Sequence, residues 1–451
     1  MELKLSEIIQ ATKAIAEPLS DEIVIKNVAT DSRVVQPGDL FVCLAGKRFD
    51  GHDFAKDALK RGASALLVHR PLDFEADVPV LLVRDTTRGL GEIARWLRLQ
   101  TKAKVIAVSG SVGKTTVKEM LAKVLGQRFK VGRSVGNWNN QIGIPLSIFR
   151  FQGDEDFWVL EIGIDNEQDM DELGPIVQPD LAIILNAAKC HLEKLKNQEV
   201  IAENECKLLN YLSAEGIAFI NREDKFLLEK AKTYSGKKIF FQRDGREVKV
   251  KFLGIRETQG VFLLFYNEQT KEVSLPFIGR HFELSLSAVL QVANHFGLEL
   301  KDVITGLSQV EVSQRFKIIE QDQFILIDDT YNASPLAMRS SLSAARELAR
   351  NKPLAVVLGD MAELGEVAYQ EHLELGRFLR EKIKPQLVFY FGEFAQAVSQ
   401  GYAGEKFFQI KTENEFISYL KSNQFKNGIV LFKGSRCMQM ERFLQALKQQ
   451  G

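Results

Sequence analysis

The sequence predicts an α/β protein built from three domains, and three observations support this prediction. The chain has 451 residues, more than one hydrophobic core usually organises. Apolar strand-like runs alternate with helical patterns in two long stretches, as they do in doubly wound parallel sheets. In the first stretch a glycine-containing loop joins a strand directly to a helix, which is a P-loop arrangement. We therefore expect a small α/β N-terminal domain at 1–100, a P-loop doubly wound central domain with a β-rich extension at 101–311, and a Rossmann-like C-terminal domain at 312–451.

The composition is that of an ordinary globular protein. Lys and Arg total 59, as do Asp and Glu, so no overall basic field favours nucleic acid or an anionic membrane. No apolar run is long enough to span a bilayer, and residues 1–21 lack the apolar segment of a secretory signal. Four distant cysteines fit no metal or redox spacing, and we expect them to be small buried thiols in a reducing cytoplasm. The expected protein is cytoplasmic and has neither a nucleic-acid nor a membrane partner.

The N-terminal domain is predicted to contain three strands and a helix. The strands are expected at 23–31, 39–45 and 63–68. The helix is expected at 54–61, and Gly62 follows it at the position of a left-handed cap.

Two polar loops follow strands of this domain. They bring Lys, Arg, Ser, Asp and His side chains to strand ends, and this set suits an anionic sugar nucleotide. Either loop alone is equally consistent with solvated surface. The candidate substrate-binding residues in the two loops are Asp31, Ser32, Arg33, Lys47, Arg48, Asp50, Gly51, His52 and Asp53.

The central domain opens on a phosphate-binding pattern. An apolar strand at 104–109 runs into two glycines and a lysine, and a helical pattern follows at 115–127. Backbone N–H groups and the helix N-terminus would face an anion, Lys114 would add positive charge, and a hydroxyl would reach Mg²⁺. Val108 replaces the first glycine of the longer P-loop pattern, so the match is to the shorter form. We predict nucleotide binding by Ser109, Gly110, Ser111, Val112, Gly113, Lys114, Thr115 and Thr116.

Glu161 and His191 follow two further strands of the same predicted sheet, at 157–162 and 181–186. Because the carboxyl ends of parallel strands meet at one edge, both side chains are expected near the phosphate loop. A lone histidine is usually structural and a lone glutamate usually solvated, but their shared position favours metal ligands. One carboxylate, one threonine hydroxyl, phosphate oxygens and one histidine are compatible with Mg²⁺.

Later segments complete the two large domains. A helical pattern at 200–212 precedes a β-rich stretch at 217–277, and another helix is expected at 284–296. The C-terminal strands alternate with helices, which predicts a mostly parallel sheet. These strands are expected at 324–329, 354–359, 387–391 and 428–432.

Together these motifs resemble those of the Mur ligases, the ATP-dependent amide-bond synthetases of peptidoglycan precursors. The resemblance covers essentially the whole chain at family-like spacing. It implies an enzyme that uses ATP and Mg²⁺ to join D-alanyl-D-alanine (D-Ala-D-Ala) to UDP-N-acetylmuramoyl-tripeptide (UDP-MurNAc-tripeptide) through an acyl phosphate. The motifs that carry it lie at 31–33, 38–41, 50–54, 110–116, 136–146, 186–193, 328–333, 358–361 and 433–441.

The resemblance also implies a role for each candidate residue around the nucleotide. Thr115 and Glu161 would hold one Mg²⁺, and His191 would hold a second one shared with the substrate carboxylate. Lys114 and Arg315 would lie near the phosphates.

Further roles implied by the resemblance concern the adenosine and the peptide. Asp329 would bind the ribose, and His281 would lie beside the adenine. Asn137 and Asn140 would line the peptide channel, while Asn332 and Arg436 would lie toward the dipeptide.

Glu205 departs from the family pattern, and this departure bears on the metal centre. The family usually has a carbamoylated lysine in the helix after the histidine motif, and Glu205 occupies that position. Lys207 cannot replace it, because residues two apart on a helix do not share a face. One hypothesis is that Glu205 supplies the missing carboxylate as a catalytic metal ligand. The alternative is a solvated helix residue beside a weakened second metal site.

Three smaller departures concern the adenine and the dipeptide. Phe282 and Ser285 stand where the family has asparagines, so Phe282 is either a base-stacking or a core residue, and Ser285 offers one hydrogen bond. Ser334 stands where asparagine is usual, on the dipeptide side.

Other functions remain open at this point. A tripeptide-forming Mur ligase is disfavoured because no Asp-Asn-Pro-Arg-like motif is present, and a folylpolyglutamate synthase because the first domain suits a UDP-sugar. The altered positions 205, 282 and 285 suggest a degenerate, non-catalytic nucleotide-binding relative, but the intact Lys114, Thr115, Glu161 and His191 argue against it. The architecture implied by the resemblance closes around its substrates without a second chain, so we expect a monomer.

Overall fold

The computed structural model describes residues 2–17, 23–46, 48–311, 314–321 and 323–449. In this part of the chain, helices and mainly parallel sheets form three α/β domains in the predicted order, which confirms the fold class. No helix among the described residues is both long and apolar enough to cross a membrane. Lys47, one of the candidate substrate-binding residues, lies outside the described residues.

The N-terminal domain contains a five-stranded sheet and a separate two-stranded pair. Its strands are β1 (Leu3–Lys4), β2 (Ile15–Glu17), β3 (Val24–Ile25), β4 (Asn27–Ala29), β5 (Asp39–Val42), β6 (Ala65–Val68) and β7 (Val80–Leu82). Its helices are α1 (Leu5–Thr12), α2 (Ala55–Lys60) and α3 (Thr86–Gln100). The larger sheet has the order β2-β7-β6-β5-β4 and is parallel except for β2, while β1 and β3 pair antiparallel.

Two N-terminal predictions can be compared directly with this domain. The chain turns after α2 at Gly62, whose φ is +99°, so the predicted glycine cap is confirmed. The single strand predicted at 23–31 is wrong, because the chain changes partner at Lys26. The backbone N–H of Lys26 donates to the Gly38 carbonyl at 2.9 Å, and β3 and β4 therefore belong to different sheets.

The central domain is built on a fully parallel six-stranded sheet. Its six strands are β8 (Lys104–Ser109), β9 (Val131–Arg133), β10 (Phe157–Glu161), β11 (Leu181–Ile184), β12 (Ile217–Asn221) and β13 (Lys237–Phe241). The helices between them are α4 (Lys114–Leu125), α5 (Gly143–Ile148), α6 (Asp169–Val177), α7 (Leu192–Leu195), α8 (Gln198–Cys206) and α9 (Lys225–Ala231). The order β13-β12-β11-β8-β10-β9 places β8 between β11 and β10. The loop after β8 therefore lies between those that follow β10 and β11.

The β-rich extension is an antiparallel sheet of β14 (Val248–Arg256), β15 (Gln259–Tyr266) and β16 (Gln269–Leu275), followed by helices α10 (Phe282–His295) and α11 (Leu300–Ser308). Helix α9 was not predicted within this β-rich stretch. It forms because the Asp224 carboxylate accepts from the first free N–H groups of the helix, those of Phe226 and Leu227, at 3.0 and 3.1 Å. The helix predicted at 200–212 stops at Cys206 and continues as a 3₁₀ turn, Lys207–Tyr211.

The C-terminal domain is a second doubly wound unit. Its elements are β17 (Lys317–Gln321), β18 (Phe324–Asp329), β19 (Leu354–Gly359), β20 (Leu387–Phe391), β21 (Phe407–Gln409), β22 (Gly428–Lys433), α12 (Pro335–Ala349), α13 (Ala368–Phe378), α14 (Ala395–Tyr402), α15 (Glu413–Ser422) and α16 (Glu441–Lys448). The sheet order is β17-β18-β22-β19-β20-β21, and only β17 is antiparallel. The ends of β18, β22 and β19 carry Asp329, Lys433 and Asp360 toward one edge.

The N-terminal and central domains share one continuous apolar core. Leu97 of α3 lies in the same buried cluster as Val105 of β8 and Leu173 of α6. The guanidinium of Arg98 reaches the carboxylate of Asp180 at 2.9 Å across the same junction. These two domains are therefore joined by packing as well as by chain connection.

The cysteines only partly match their expectation. All four are unpaired, and Cys43 and Cys206 are buried. Burial raises the pKa of each of these two thiols to about 12. Cys190 is half-buried and Cys437 is exposed, so the expectation that all four are buried is wrong.

Candidate active site

A cleft of about 1470 Å³ separates the central domain from the C-terminal domain. Most of the residues that the sequence singled out in these two domains line it. They are Ser111, Val112, Gly113, Lys114, Thr115, Thr116, Asn137, Asn140, Glu161, His191, His281, Arg315, Asp329, Asn332 and Arg436. The cleft is larger than a usual single-ligand pocket and has room for more than one substrate.

The phosphate loop has the conformation that its glycines predict. Gly110 and Gly113 have φ of +134° and +93°, a region that favours glycine. A Cβ on Gly110 would also lie 2.9 Å from the Leu185 Cβ, so the loop packs tightly on the next strand. Lys114 Nζ donates to the Gly110 carbonyl at 2.6 Å and lies at the mouth of the loop.

Asn186 holds this loop from the end of β11. Its side-chain carbonyl accepts from the Val112 N–H at 2.9 Å, and its amide donates to the Val112 carbonyl at 2.8 Å. The Ser111 N–H donates to the Asn186 backbone carbonyl at 3.0 Å. Asn186 is therefore a support of the phosphate loop, a role that we did not assign from the sequence.

Thr115 and Glu161 form a compact oxygen pair beside the loop. The Thr115 hydroxyl donates to Glu161 Oε2 at 2.6 Å, and Asn139 Nδ2 donates to Glu161 Oε1 at 2.8 Å. Arg315, which comes from the C-terminal side of the cleft, donates to Thr115 Oγ1 at 2.9 Å. A hydroxyl and a carboxylate next to a phosphate loop fit the oxygen preference of Mg²⁺.

No group of three or more His, Cys, Asp and Glu side chains is arranged around a common metal position in the described part of the chain. That does not conflict with the Thr115–Glu161 pair, since Mg²⁺ usually takes only one or two protein carboxylates and completes its shell with phosphates and water.

Lys118 is a buried charge behind this pair, and we did not single it out from the sequence. Its ammonium donates to the backbone carbonyls of Ser134 and Gly136 at 2.9 and 2.6 Å. It also lies 3.1 Å from Glu119 Oε1 and 4.0 Å from Glu161 Oε2. The available signal was a lysine on the apolar face of a helix, where an unpaired charge would be costly.

Glu205 lies under the phosphate loop. This residue is 1% exposed, is not among those that line the cleft, and accepts from the Ser109 hydroxyl through its carboxylate. Burial raises the pKa of Glu205, although the charge of Lys114, the hydroxyl of Ser109 and the nearby N–H of Gly110 oppose the rise. The alternative of a solvated helix residue is therefore wrong. Lys207 points elsewhere, toward Asp171 at 2.8 Å, as the helical spacing predicts.

His191 is held between the two domains that form the cleft. Its Nδ1 contacts the carboxylate of Glu363, and its Nε2 lies 3.4 Å from Asp165 Oδ1. The hydrogen bond from His191 lowers the pKa of Glu363. Neither Asp165 nor Glu363 was identified from the sequence as a partner of this histidine.

Asp329 lies on the C-terminal wall and is already extensively paired. Its carboxylate contacts Lys433 Nζ at 2.7 Å and accepts from the Phe316 N–H at 3.2 Å and from the Ser341 hydroxyl. On the same wall, the guanidinium of Arg315 stacks over the ring of Tyr331, 4.2 Å from the ring centroid.

The loop before α5 contains three asparagines, and each has a different environment. Asn137 is exposed in the cleft, whereas Asn140 Oδ1 accepts from the N–H groups of Ile142 and Gly143 and caps α5. The expected contact of Asn140 with peptide thus competes with a structural role. Asn139, which we did not single out, is the asparagine that reaches Glu161.

Residues at the two ends of the cleft are more open. Asn332 is exposed, and Arg436 is half exposed and pairs with Glu441 at 2.8 Å. His281 precedes α10 with its ring against Phe282, the centroids being 4.2 Å apart.

The positions that depart from the family pattern have defined environments. Phe282 is buried against Phe277, which favours the core role over base stacking. Ser285 Oγ lies 3.5 Å from the position of a Cβ on Gly113, so it borders the phosphate loop. Ser334 caps α12 by accepting from the Ala337 N–H at 3.4 Å.

None of the described candidate residues of the N-terminal domain lines this cleft. Arg33 and Asp31 pair with each other at 2.6 Å, and the hydrogen bond from Arg33 lowers the pKa of Asp31 to about 2. Ser32 is buried, whereas Arg48 and Asp53 are exposed.

His52 was expected to face the substrate, and its position contradicts this. Its side chain is buried, its Nδ1 contacts Asp50 Oδ1 at 2.6 Å, and its Nε2 accepts from the His69 N–H at 3.3 Å. A Cβ on Gly51 would lie 2.7 Å from the Cys43 Cα, so this glycine permits close backbone approach. His52 and Gly51 therefore shape the loop, and Asp50 pairs on its outer side with Arg70 at 3.0 Å.

Three family models match the chain in succession. They are described as "Mur ligase family, catalytic domain" over residues 24–97, "Mur ligase middle domain" over 108–293, and "Mur ligase, glutamate ligase domain" over 314–436.

Individual relatives match at full length. The chain is 34% identical over 459 residues to the UDP-N-acetylmuramoyl-tripeptide–D-alanyl-D-alanine ligase of Haemophilus influenzae, covering 99% of both proteins. It is similar to a crystal structure of MurF from Acinetobacter baumannii, with a TM-score of 0.92, 31% identity, and coverage of 100% of this chain and 99% of that one. It is also similar to MurF ligase from Thermotoga maritima in complex with ADP, with a TM-score of 0.85, 30% identity, and coverage of 94% and 97%.

Proposed function

The chain belongs to the Mur ligase family, and on that premise we propose that its central cleft joins D-Ala-D-Ala to UDP-MurNAc-tripeptide at the expense of ATP. The product is the UDP-MurNAc-pentapeptide precursor of peptidoglycan, together with ADP and phosphate. Full-length relatives with this activity favour it over the tripeptide-forming and folylpolyglutamate alternatives.

One observation carries the assignment of the site. The Thr115 hydroxyl is shared between Glu161 of the central domain and Arg315 from the other side of the cleft. A phosphate loop, a carboxylate–hydroxyl pair and a guanidinium thus meet at one point. This set supports transfer of a γ-phosphoryl group, in which charge must be neutralised and reactants aligned.

The reaction has two steps. In the first, an oxygen of the substrate carboxylate attacks the γ-phosphorus, the bond to the β–γ bridging oxygen breaks, and ADP leaves. In the second, the amine of D-Ala-D-Ala attacks the acyl carbon, loses a proton and expels phosphate. The main obstacle in the first step is the approach of two anions, which positive side chains make tolerable.

The residues of the cleft have different roles in this reaction. The loop N–H groups and Lys114 bind the β- and γ-phosphates, and Arg315 approaches the same phosphates from the opposite wall. Thr115 and Glu161 would hold Mg²⁺, which supplies positive charge to the phosphate oxygens when it is bound. His191 is proposed as a ligand of a second cation near the substrate carboxylate.

The outer parts of the cleft bind the remaining groups in this proposal. Asp329, kept in place by Lys433, accepts from a ribose hydroxyl, and His281 borders the adenine. Asn137 lies along the peptide, and Asn332 and Arg436 face the dipeptide. Arg33, Arg48 and the outer side of Asp50 remain the candidates for the UDP-sugar.

We also propose the units 1–100, 101–311 and 312–451 as the functional domains of a cytoplasmic monomer. Four unpaired thiols support a reducing compartment. The contact between Arg315 and Thr115 within one chain supports a site that needs no second subunit.

Phosphate release with omission of single components tests the function. We expect release only when ATP, Mg²⁺, UDP-MurNAc-tripeptide and D-Ala-D-Ala are all present. Release that does not depend on the dipeptide would overturn the substrate assignment. No release under any condition would instead favour a non-catalytic nucleotide-binding relative.

A further inference from the structure

A turn of the C-terminal domain at residues 363–365 contacts His191 of the central domain and the backbone that follows it. The Glu193 N–H donates to the Glu363 carbonyl at 3.4 Å, and a Cβ on Gly365 would lie 3.4 Å from Glu193 Cγ. At the same junction the Glu363 carboxylate contacts His191 Nδ1. One short segment therefore touches both the backbone after His191 and the imidazole itself.

The two residues of this contact share an unusual backbone conformation. His191 has φ of +51° and Glu363 has φ of +61°, so both are non-glycine residues in the left-handed region. Such conformations are uncommon and are maintained where the surroundings fix them. Here both residues lie at the contact between the central and C-terminal domains.

The contact also determines which ring nitrogen of His191 faces the cleft. With Nδ1 bonded to Glu363, Nε2 is the nitrogen left to face a cation, and Asp165 Oδ1 lies 3.4 Å from it. His191, Asp165 and Glu363 all line the cleft. An imidazole that donates from Nδ1 to a carboxylate keeps its Nε2 lone pair for a cation.

We propose that Glu363 is a positioning residue, which orients His191 toward a cation in the cleft only when the C-terminal domain is docked. Domain docking and assembly of the second cation site are thereby linked by one hydrogen bond. The part that concerns the cation rests on the proposed function, whereas the orientation of His191 does not.

A second contact between the same domains provides a matched control. Lys189 Nζ lies 2.6 Å from Glu371 Oε1, so this pair also joins the domains but does not touch His191. If Glu363 only helps the domains to dock, then Glu363→Ala and Glu371→Gln should have the same effects. If it orients the imidazole, the two variants should differ.

The orientation is tested without metal by NMR of [¹⁵N]histidine-labelled protein in the presence of ADP, with His191 assigned from His191→Asn. We expect His191 to carry its proton on Nδ1 in the parent protein, in Glu363→Gln and in Glu371→Gln. In Glu363→Ala we expect a mixture with the Nε2-protonated form. A parent His191 protonated on Nε2, or an unchanged tautomer in Glu363→Ala, would overturn the proposal.

Binding of Mn²⁺ in the presence of a non-hydrolysable ATP analogue, followed by electron paramagnetic resonance, tests the consequence. We expect Glu363→Ala to weaken the weaker of two Mn²⁺ sites by about tenfold, as loss of a histidine's carboxylate partner commonly does. The tighter site and both sites of Glu371→Gln should change less than about twofold, well below that effect. Equal weakening in the two variants, or a single Mn²⁺ site in the parent, would overturn the link to the cation.

Failure of this inference can be distinguished from failure of the proposed function. A parent that releases phosphate in response to D-Ala-D-Ala, with unaltered His191 in Glu363→Ala, retains the function and loses the inference. A parent that releases none but shows the expected tautomer and Mn²⁺ changes loses the function and retains the inference.

Discussion

Three charged side chains around the phosphate loop are almost completely shielded from solvent. Lys118, Glu161 and Glu205 are 0%, 2% and 1% exposed. Buried charges are costly unless they are paired and hydrogen-bonded, and each of these has specific partners in the adjoining loops. Changing one of them should therefore alter the loops that it holds, not only the local charge.

At the residue scale, replacement of Glu205 tests its contribution to the stability of the fold and its contribution to ligase activity. In Glu205→Ala the Ser109 hydroxyl loses its carboxylate acceptor and keeps only the longer contact with the Ile162 carbonyl at 3.3 Å. We expect the free energy of unfolding to fall by about 1.5–3 kcal/mol, the contribution of a buried hydrogen bond to a carboxylate, and ligase activity to fall by more than tenfold. Chemical denaturation and phosphate release measure the two effects.

Glu203→Ala is the matched control on the same helix, since Glu203 is exposed and pairs only at the surface with Lys230. It should change stability by less than about 0.5 kcal/mol. Added bicarbonate should leave the parent activity unchanged, because a glutamate needs no carbamoylation. Strong activation by bicarbonate, or intact metal-dependent turnover in Glu205→Ala, would contradict a role of Glu205 at the metal centre.

The cysteines make a second residue-scale prediction. Thiolates are the reactive form, and burial raises the pKa of Cys190 to about 11 and that of Cys43 and Cys206 to about 12. Cys437 is the exposed thiol among the four. At pH 8 a disulfide reagent should modify Cys437 in a fast phase, and Cys437→Ser should abolish that phase. Persistence of the fast phase in Cys437→Ser would show that another cysteine is accessible.

At the scale of elements, Lys118 links α4 to the loop before α5. Lys118→Met would leave the Ser134 and Gly136 carbonyls without a donor and remove the counter-charge near Glu161. We expect stability to fall by about 3 kcal/mol or more and nucleotide affinity to fall with it, because the loop that orients Glu161 loosens.

Thermal denaturation and titration with ADP and Mg²⁺ measure these effects of Lys118→Met. Lys123→Met, a half-buried lysine on the same helix, controls for the loss of positive charge and should be nearly neutral. Equal behaviour of the two variants would mean that Lys118 is not a specific support.

The success of the sequence predictions differed between elements for physical reasons. Buried parallel strands are continuous apolar runs, so β8 was found at its predicted bounds, 104–109. The same signal placed Glu161 near the phosphate loop. Helix α9 was missed because it has seven residues within a β-rich segment, and its cap at Asp224 carries little information by itself.

Side-chain roles in loops were less predictable. Whether Asn137, Asn139 or Asn140 reaches Glu161 depends on the loop backbone, and Gly163 leaves the space that Asn139 occupies. No sequence period relates Glu363 to His191, which lies 172 positions away in another domain.

At the scale of the whole molecule, the two domain junctions differ in kind. The N-terminal and central domains share an extended apolar core. The C-terminal junction instead combines a smaller apolar contact, in which Ile278 packs in the C-terminal core, with polar contacts on its site face. These contacts are Arg315 with Thr115, Lys189 with Glu371, and His191 with Glu363. Ion pairs that are partly solvated contribute little individually and weaken with salt. The C-terminal domain is therefore expected to be the part that opens and closes during turnover.

Charge reversal at one of these pairs tests that expectation. Lys189→Glu replaces an attraction to Glu371 with a repulsion, and neither of the two side chains lines the cleft. Because Lys189 is nearly half exposed, the docking equilibrium should shift by only about 1 kcal/mol, roughly fivefold. Small-angle X-ray scattering should show a larger radius of gyration for Lys189→Glu, and kcat should fall because fewer molecules are closed.

The double variant Lys189→Glu/Glu371→Lys restores the opposite charges in exchanged positions. We expect it to recover both the radius of gyration and kcat, because only the sign of each charge is exchanged. If the single variant scatters like the parent, this pair does not govern docking. If the double variant remains expanded, the effect of Lys189→Glu comes from local disruption and not from its charge.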